Sequence, residues 1–159
     1  MIRTALLTVL CLLLASCVPA KPDVVLHAID ATPERLSDWG VVYVSGGRLQ
    51  LNDRVMPYDL NTPLFSDYAL KLRTVWLPDG TTAKYRADRE FEFPVGTIIS
   101  KTFHYRKSAD WYDQAPRVVA ADRNQTPQGG SLTLDDYRLI ETRLLVRYEE
   151  GWQALPYVW

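Results

Sequence analysis

The sequence predicts a mainly β chain: a single antiparallel β-sandwich or open barrel-like domain with one or two short helices. Three observations carry this prediction. Residues 138–148 alternate, with Ile140, Thr142, Leu144, Val146 and Tyr148 on one face and Leu139, Glu141, Arg143, Leu145 and Arg147 on the other. That is the period of a half-buried strand. Glycine and proline punctuate the chain at Ser45-Gly46-Gly47, Pro78-Asp79-Gly80 and Glu149-Glu150-Gly151, where hairpins turn. Five tryptophans and nine tyrosines among 159 residues are a high aromatic content, and aromatic side chains suit a pleated, half-covered surface.

The N-terminus comes first in order. Arg3 is a short positive n-region, and residues 5–14 form an apolar run interrupted only by Thr8. The run is too short for a stable bilayer span and sits where a signal peptide carries its apolar core. Leu14-Ala15-Ser16-Cys17 follows and resembles a bacterial lipobox. Small residues fit the signal peptidase, and the Cys17 thiol is the nucleophile that takes the diacylglyceryl group. Residues 1–16 therefore read as a lipoprotein signal peptide, 17–33 as a membrane-proximal tether, and 34–159 as the β-rich domain. Ordinary secretion with cleavage near Ala20 is the plainer alternative. Each buried methylene of a lipid contributes about 0.8 kcal/mol, and stable anchoring takes more than one chain. A triacylated Cys17 meets that requirement. Val18 stands where an inner-membrane retention signal would place Asp, so the expected location is the cell envelope, periplasm-facing, at the outer rather than the inner membrane.

The domain then reads element by element. Thr32-Pro33 opens a helical turn that brings Leu36 and Trp39 to one face and ends at Gly40. Strands are expected over 41–44 and 48–55. In Pro57–Arg73, a turn leads into a short helix capped by Thr62 with Pro63 at its first position. Leu64 and Tyr68, four residues apart, would pack inward. A strand over 73–77 folds back on 82–86 as a hairpin through Pro78-Asp79-Gly80. Phe91 and Phe93 face inward from the next strand, and residues 97–105 form a longer one. Residues 106–130 read as a long loop. Residues 152–158 return as the last strand, broken by Pro156.

Composition excludes several function classes. The net charge is −1 and the basic residues are scattered, which argues against nucleic acid as a partner. The two cysteines are Cys11, within the signal, and Cys17. The domain therefore has no disulfide, no CxxC and no CxxCH for covalent haem. No GxSxG and no phosphate loop occur. Asp59 and Asp67, with Glu90 or Glu92, are candidates for paired-carboxylate hydrolysis of a sugar bond. Each also fits a structural role, Asp59 in an Asx turn and Asp67 in the first turn of a helix. His27 lies in the tether and His104 reads as a surface histidine on a strand, so no metal site is expected. Trp111 and Tyr112, inside the polar loop, are the candidate exposed contact pair.

Several strings together resemble one family. They are Leu36-Ser37-Asp38-Trp39-Gly40, the stretch from Pro57 to Lys71 (PYDLNTPLFSDYALK), Trp76-Leu77-Pro78, Phe93-Pro94-Val95-Gly96-Thr97 with Lys101-Thr102-Phe103, Arg138 to Leu145 (RLIETRLL), and Trp152 to Trp159 (WQALPYVW). In order and spacing they resemble the N-terminal, haem-free domain of a bacterial envelope family of unassigned role whose longer members are di-haem c-type cytochromes. The match covers about residues 36–159. The longer members continue into CxxCH segments that have no counterpart here, so no haem ligand and no catalytic residue carries over. The resemblance implies a haem-free piece of an electron-transfer system, truncated, split into two genes or naturally short. The function expected is an accessory or docking module for a c-type cytochrome or its electron donor. A carboxylate-dependent hydrolase using Asp59 and Asp67 and a structural lipoprotein without ligand are the alternatives.

Overall fold

The computed structural model describes residues 21–111, 117–120 and 129–159. Cys17 and Tyr112 lie outside the described residues. The described residues form two antiparallel sheets packed as a sandwich-like domain without a closed barrel. The smaller sheet holds β1 (Val42–Ser45), β2 (Arg48–Leu51) and β7 (Leu132–Thr133), in the order β1-β2-β7. The larger runs β3-β4-β5-β8-β9, built from Met56–Tyr58, Leu70–Trp76, Ile98–Lys107, Tyr137–Tyr148 and Gly151–Val158. A short β6 (Val118–Val119) pairs with Arg106 and Lys107 of β5, inside the stretch expected to be loop.

Apolar side chains from both sheets meet between them. Val42, Leu49 and Leu132 come from the small sheet, Leu72, Ile98, Leu139, Leu144 and Val146 from the large one, with Leu36 and Trp39 at one side. Leu36–Trp39 is a 3-10 turn that ends on Gly40 with φ 65°. It starts later than Thr32-Pro33 would place it. A Cβ on Gly40 would collide with the Asp23 carbonyl oxygen, because the chain expected to be a tether lies on the domain. Val25 N–H donates to the Trp39 carbonyl at 3.1 Å, and Asn52 Nδ2 donates to the carbonyls of Pro22 and Gly40 at 2.5 and 2.6 Å. His27 stacks edge-on to Trp39, with ring centroids 5.0 Å apart. Residues 21–33 are therefore held on the sandwich.

Five local expectations are corrected. The alternation of β8 holds from Thr142 to Val146, but Leu139 is buried and Ile140 exposed. Phe103 pairs with Glu141 and His104 with Leu139, so Ile140 is an extra residue, a β-bulge that flips the face. Pro156 does not break β9. The Trp159 N–H donates to the Ile140 carbonyl, which fixes the alternation of the β8–β9 ladder and leaves the Pro156 nitrogen facing away from β8. A proline is tolerated there because no ladder bond is lost. The turn at Pro78-Asp79-Gly80 forms, but β4 pairs with β5 rather than with 82–86, and Lys84 bridges to Glu92. Phe91 is half exposed, in an aromatic row with Tyr85, Phe93 and Trp152 rather than in the core. No helix forms after Thr62: Asp67 and Tyr68 make a left-handed turn with φ 44° and 60°, and Leu64, Phe65 and Tyr68 point to solvent.

Candidate functional site

The two sheets leave two strands with an open edge on the same side of the molecule. Asn52 N–H donates to the Val41 carbonyl, so the residues of β1 that face β2 through their backbone are Tyr43 and Ser45. The N–H and C=O groups of Val42 and Val44 point the other way. No strand among the described residues pairs with that edge, or with the outer edge of β9. Between β1, the 3-10 turn and β9 lies a cleft of about 760 Å³. Val42, Tyr43 and Val44 form one wall and Leu155 to Trp159 the other, with Pro33 and Leu36 at the base and Glu34 and Arg35 at the rim.

The walls are fixed before anything binds. Tyr157 Oη accepts from Trp39 Nε1 at 2.7 Å and donates to the Pro33 carbonyl at 2.9 Å, joining β9, the 3-10 turn and the N-terminal segment at one atom. Trp159 Nε1 donates to Thr142 Oγ1 at 2.9 Å, and Tyr43 Oη donates to Gln50 Oε1 at 3.2 Å. Glu34 and Arg35 are exposed at the mouth with no ion pair among the described residues. An apolar cleft with locked aromatic walls, and with the outward backbone groups of exposed Val44 paired with no strand among the described residues, suits an extended peptide, which can add as a strand. Pro156 denies that option on the β9 side, leaving β1 as the pairing edge.

The candidate residues fall elsewhere. Asp59 accepts from buried Arg73 at 3.1 Å and from the N–H of the next residue, Leu60, at 3.0 Å, which is not the contact two residues on, at Asn61, that the expected Asx-type turn makes. Asp67 sits in the left-handed turn, where its backbone carbonyl accepts from Tyr105 Oη at 2.9 Å. These contacts fasten residues 59–69 across the outer face of the large sheet. Glu92 is paired with Arg86, which holds its carboxyl below the usual range through a hydrogen bond and charge attraction. Trp111 is half-buried in a turn closed on Ser108, with the Lys107 ammonium 5.3 Å from its ring. The described residues contain no group of three His, Cys, Asp or Glu able to hold a metal, and no helix long and apolar enough to cross a membrane.

His104 is not a surface residue. Its side chain is fully buried on the inner face of β5, Nδ1 lies 3.3 Å from the Thr102 carbonyl, and Nε2 has no partner among the described residues. Burial pushes its pKa down to about 4, against a smaller upward pull from that hydrogen bond. The neighbouring inner-face hydroxyls pair with one another, Thr74 with Ser100 at 2.5 Å and Thr102 with Thr142 at 2.8 Å.

The cleft residues Val44, Tyr157 and Trp159 were not singled out as a site by sequence reasoning. The available signal was Pro156 inside an aromatic terminal strand, since a proline there implies an open edge. Comparison with protein-family models, with curated proteins and with solved structures finds no match.

Proposed function

We propose that this chain is a lipid-anchored docking module of the bacterial cell envelope that receives an extended segment of a c-type cytochrome, or of its electron donor, along β1. The observation that carries the docking reading is the cleft between two open edges, where exposed Val44 presents backbone groups that pair with no strand among the described residues, beside apolar, locked walls. The lipobox-like Leu14-Ala15-Ser16-Cys17 supports the anchor, and the resemblance of residues 36–159 supports a haem protein as partner. The paired-carboxylate alternative draws no support from the geometry, because Asp59 is engaged with Arg73 rather than with a second carboxyl group.

The test is a photo-reactive benzoylphenylalanine at position 44, a half-exposed site in the cleft wall, irradiated in living cells. The expected result is an adduct in the membrane fraction that stains for haem or contains a direct redox partner of a haem protein. A membrane fraction with no such adduct contradicts the proposal.

A further inference from the structure

On the outer face of the large sheet, strand register sets three cations in one row. Arg73 of β4 is directly opposite Lys101 of β5, and Lys101 is directly opposite Arg143 of β8. Directly opposed residues point to the same face, and like charges so placed are destabilising. The compensation is incomplete. Asp59 pairs with Arg73 at 3.1 Å and Glu141 with Arg143 at 2.5 Å. Lys101, between them, has no ion pair or hydrogen bond to a described residue. Its ammonium lies 5.1 Å from the Phe103 ring centroid, and the Arg143 guanidinium lies 5.0 Å from the same centroid. Two cationic heads thus share one aromatic ring.

We propose that this row is a binding site for a phosphate-class oxyanion, with Lys101 and Arg143 as its direct donors and Arg73 as the buried charge behind them. Lys101 is half-buried and Arg143 largely exposed, so both heads can be reached, whereas Arg73 lies under the segment that carries Asp59. Glu141 pairs with Nη2 of Arg143, whose other N–H groups have no partner among the described residues, and Lys101 offers three more donors. A tetrahedral oxyanion supplies acceptors to both at once, and its charge relieves the repulsion along the row. The pKa of Lys101 is lowered by burial and then by Arg143 and Arg73, against an opposing pull from Glu141, as expected of a cation short of counter-charge. Exposed Leu64 and Phe65 stand on the segment that Lys71, next along this face, fastens through the Leu64 carbonyl at 3.2 Å. The phosphate can therefore come from a lipid headgroup or from solution.

The test uses the full chain in neutral detergent, at constant ionic strength. Its thermal midpoint is followed against inorganic phosphate, chloride, and short-chain phosphatidylglycerol or phosphatidylcholine. The expected result is a saturable rise with phosphate or phosphatidylglycerol and none with chloride or phosphatidylcholine. A response to phosphatidylglycerol alone assigns the headgroup, and a response to inorganic phosphate assigns a free phosphate. Lys101→Gln and, separately, Arg143→Gln should weaken the response at least tenfold, while Lys84→Gln, elsewhere on the surface, keeps it. Lys101→Gln without ligand should melt no lower than wild type, because the row loses a repulsive member. Equal midpoints in phosphate and chloride with no lipid preference, or wild-type affinity in both row variants, would overturn the proposal.

Discussion

His104 concentrates what one residue can hide. The inner face of β5 reads Ile98, Ser100, Thr102, His104, and the outer face reads Ile99, Lys101, Phe103, Tyr105. By hydropathy the outer face looks more like a core than the inner one. The inner choice holds because hydroxyls on adjacent strands satisfy one another, which no single strand's sequence displays. Burial of neutral His104 has a pH consequence. The folded value of about 4 lies below the ordinary value near 6.5, so between those limits the unfolded chain binds a proton that the folded chain does not. The associated stability is complete above about pH 6.5 and is lost progressively as pH falls toward 4, by on the order of 3 kcal/mol. Urea unfolding at pH 7 and pH 4 should show that loss in the wild type, and His104→Leu should remove most of it. An equal loss in the variant would show that other groups carry it.

At the scale of elements, legibility depended on whether a signal was local. The hairpin over Ser45-Gly46-Gly47 and the long strand after Arg138 were readable, because turn chemistry and alternation lie in the sequence itself. The bulge at Ile140 was not, since it exists only in register with β5. The stretch from Asn61 to Tyr68 has the cap and proline of a helix start, yet it forms no helix and ends in a left-handed turn. Its role is to cross the sheet and close over Arg73, with Asp59, the Leu64 carbonyl and the Asp67 carbonyl as its fastenings. Asp59→Asn therefore leaves a buried guanidinium without its counter-charge. It should lower unfolding stability by about 1–2 kcal/mol, less than for a fully buried pair because Asp59 itself is exposed. Denaturant titration of the variant checks this, and unchanged stability would make the ion pair incidental.

For the whole molecule, fold class was legible and the cleft was not. A mainly β sandwich follows from alternation and punctuation, whereas the cleft arises from how two sheets end. Among the described residues β1 is open because the small sheet grows through β2 to β7, and β9 is open but blunted by Pro156. The N-terminal segment and the 3-10 turn close the base through the single hydroxyl of Tyr157. Docking along β1 depends on backbone groups rather than on any one side chain, and the most direct test removes one of them. Val44→Pro deletes an outward N–H on an edge strand without taking a ladder bond from β2. The affinity of the partner captured at position 44 should fall at least tenfold in Val44→Pro while the thermal midpoint stays near that of the wild type. Unchanged affinity in the folded variant would contradict strand addition at this edge.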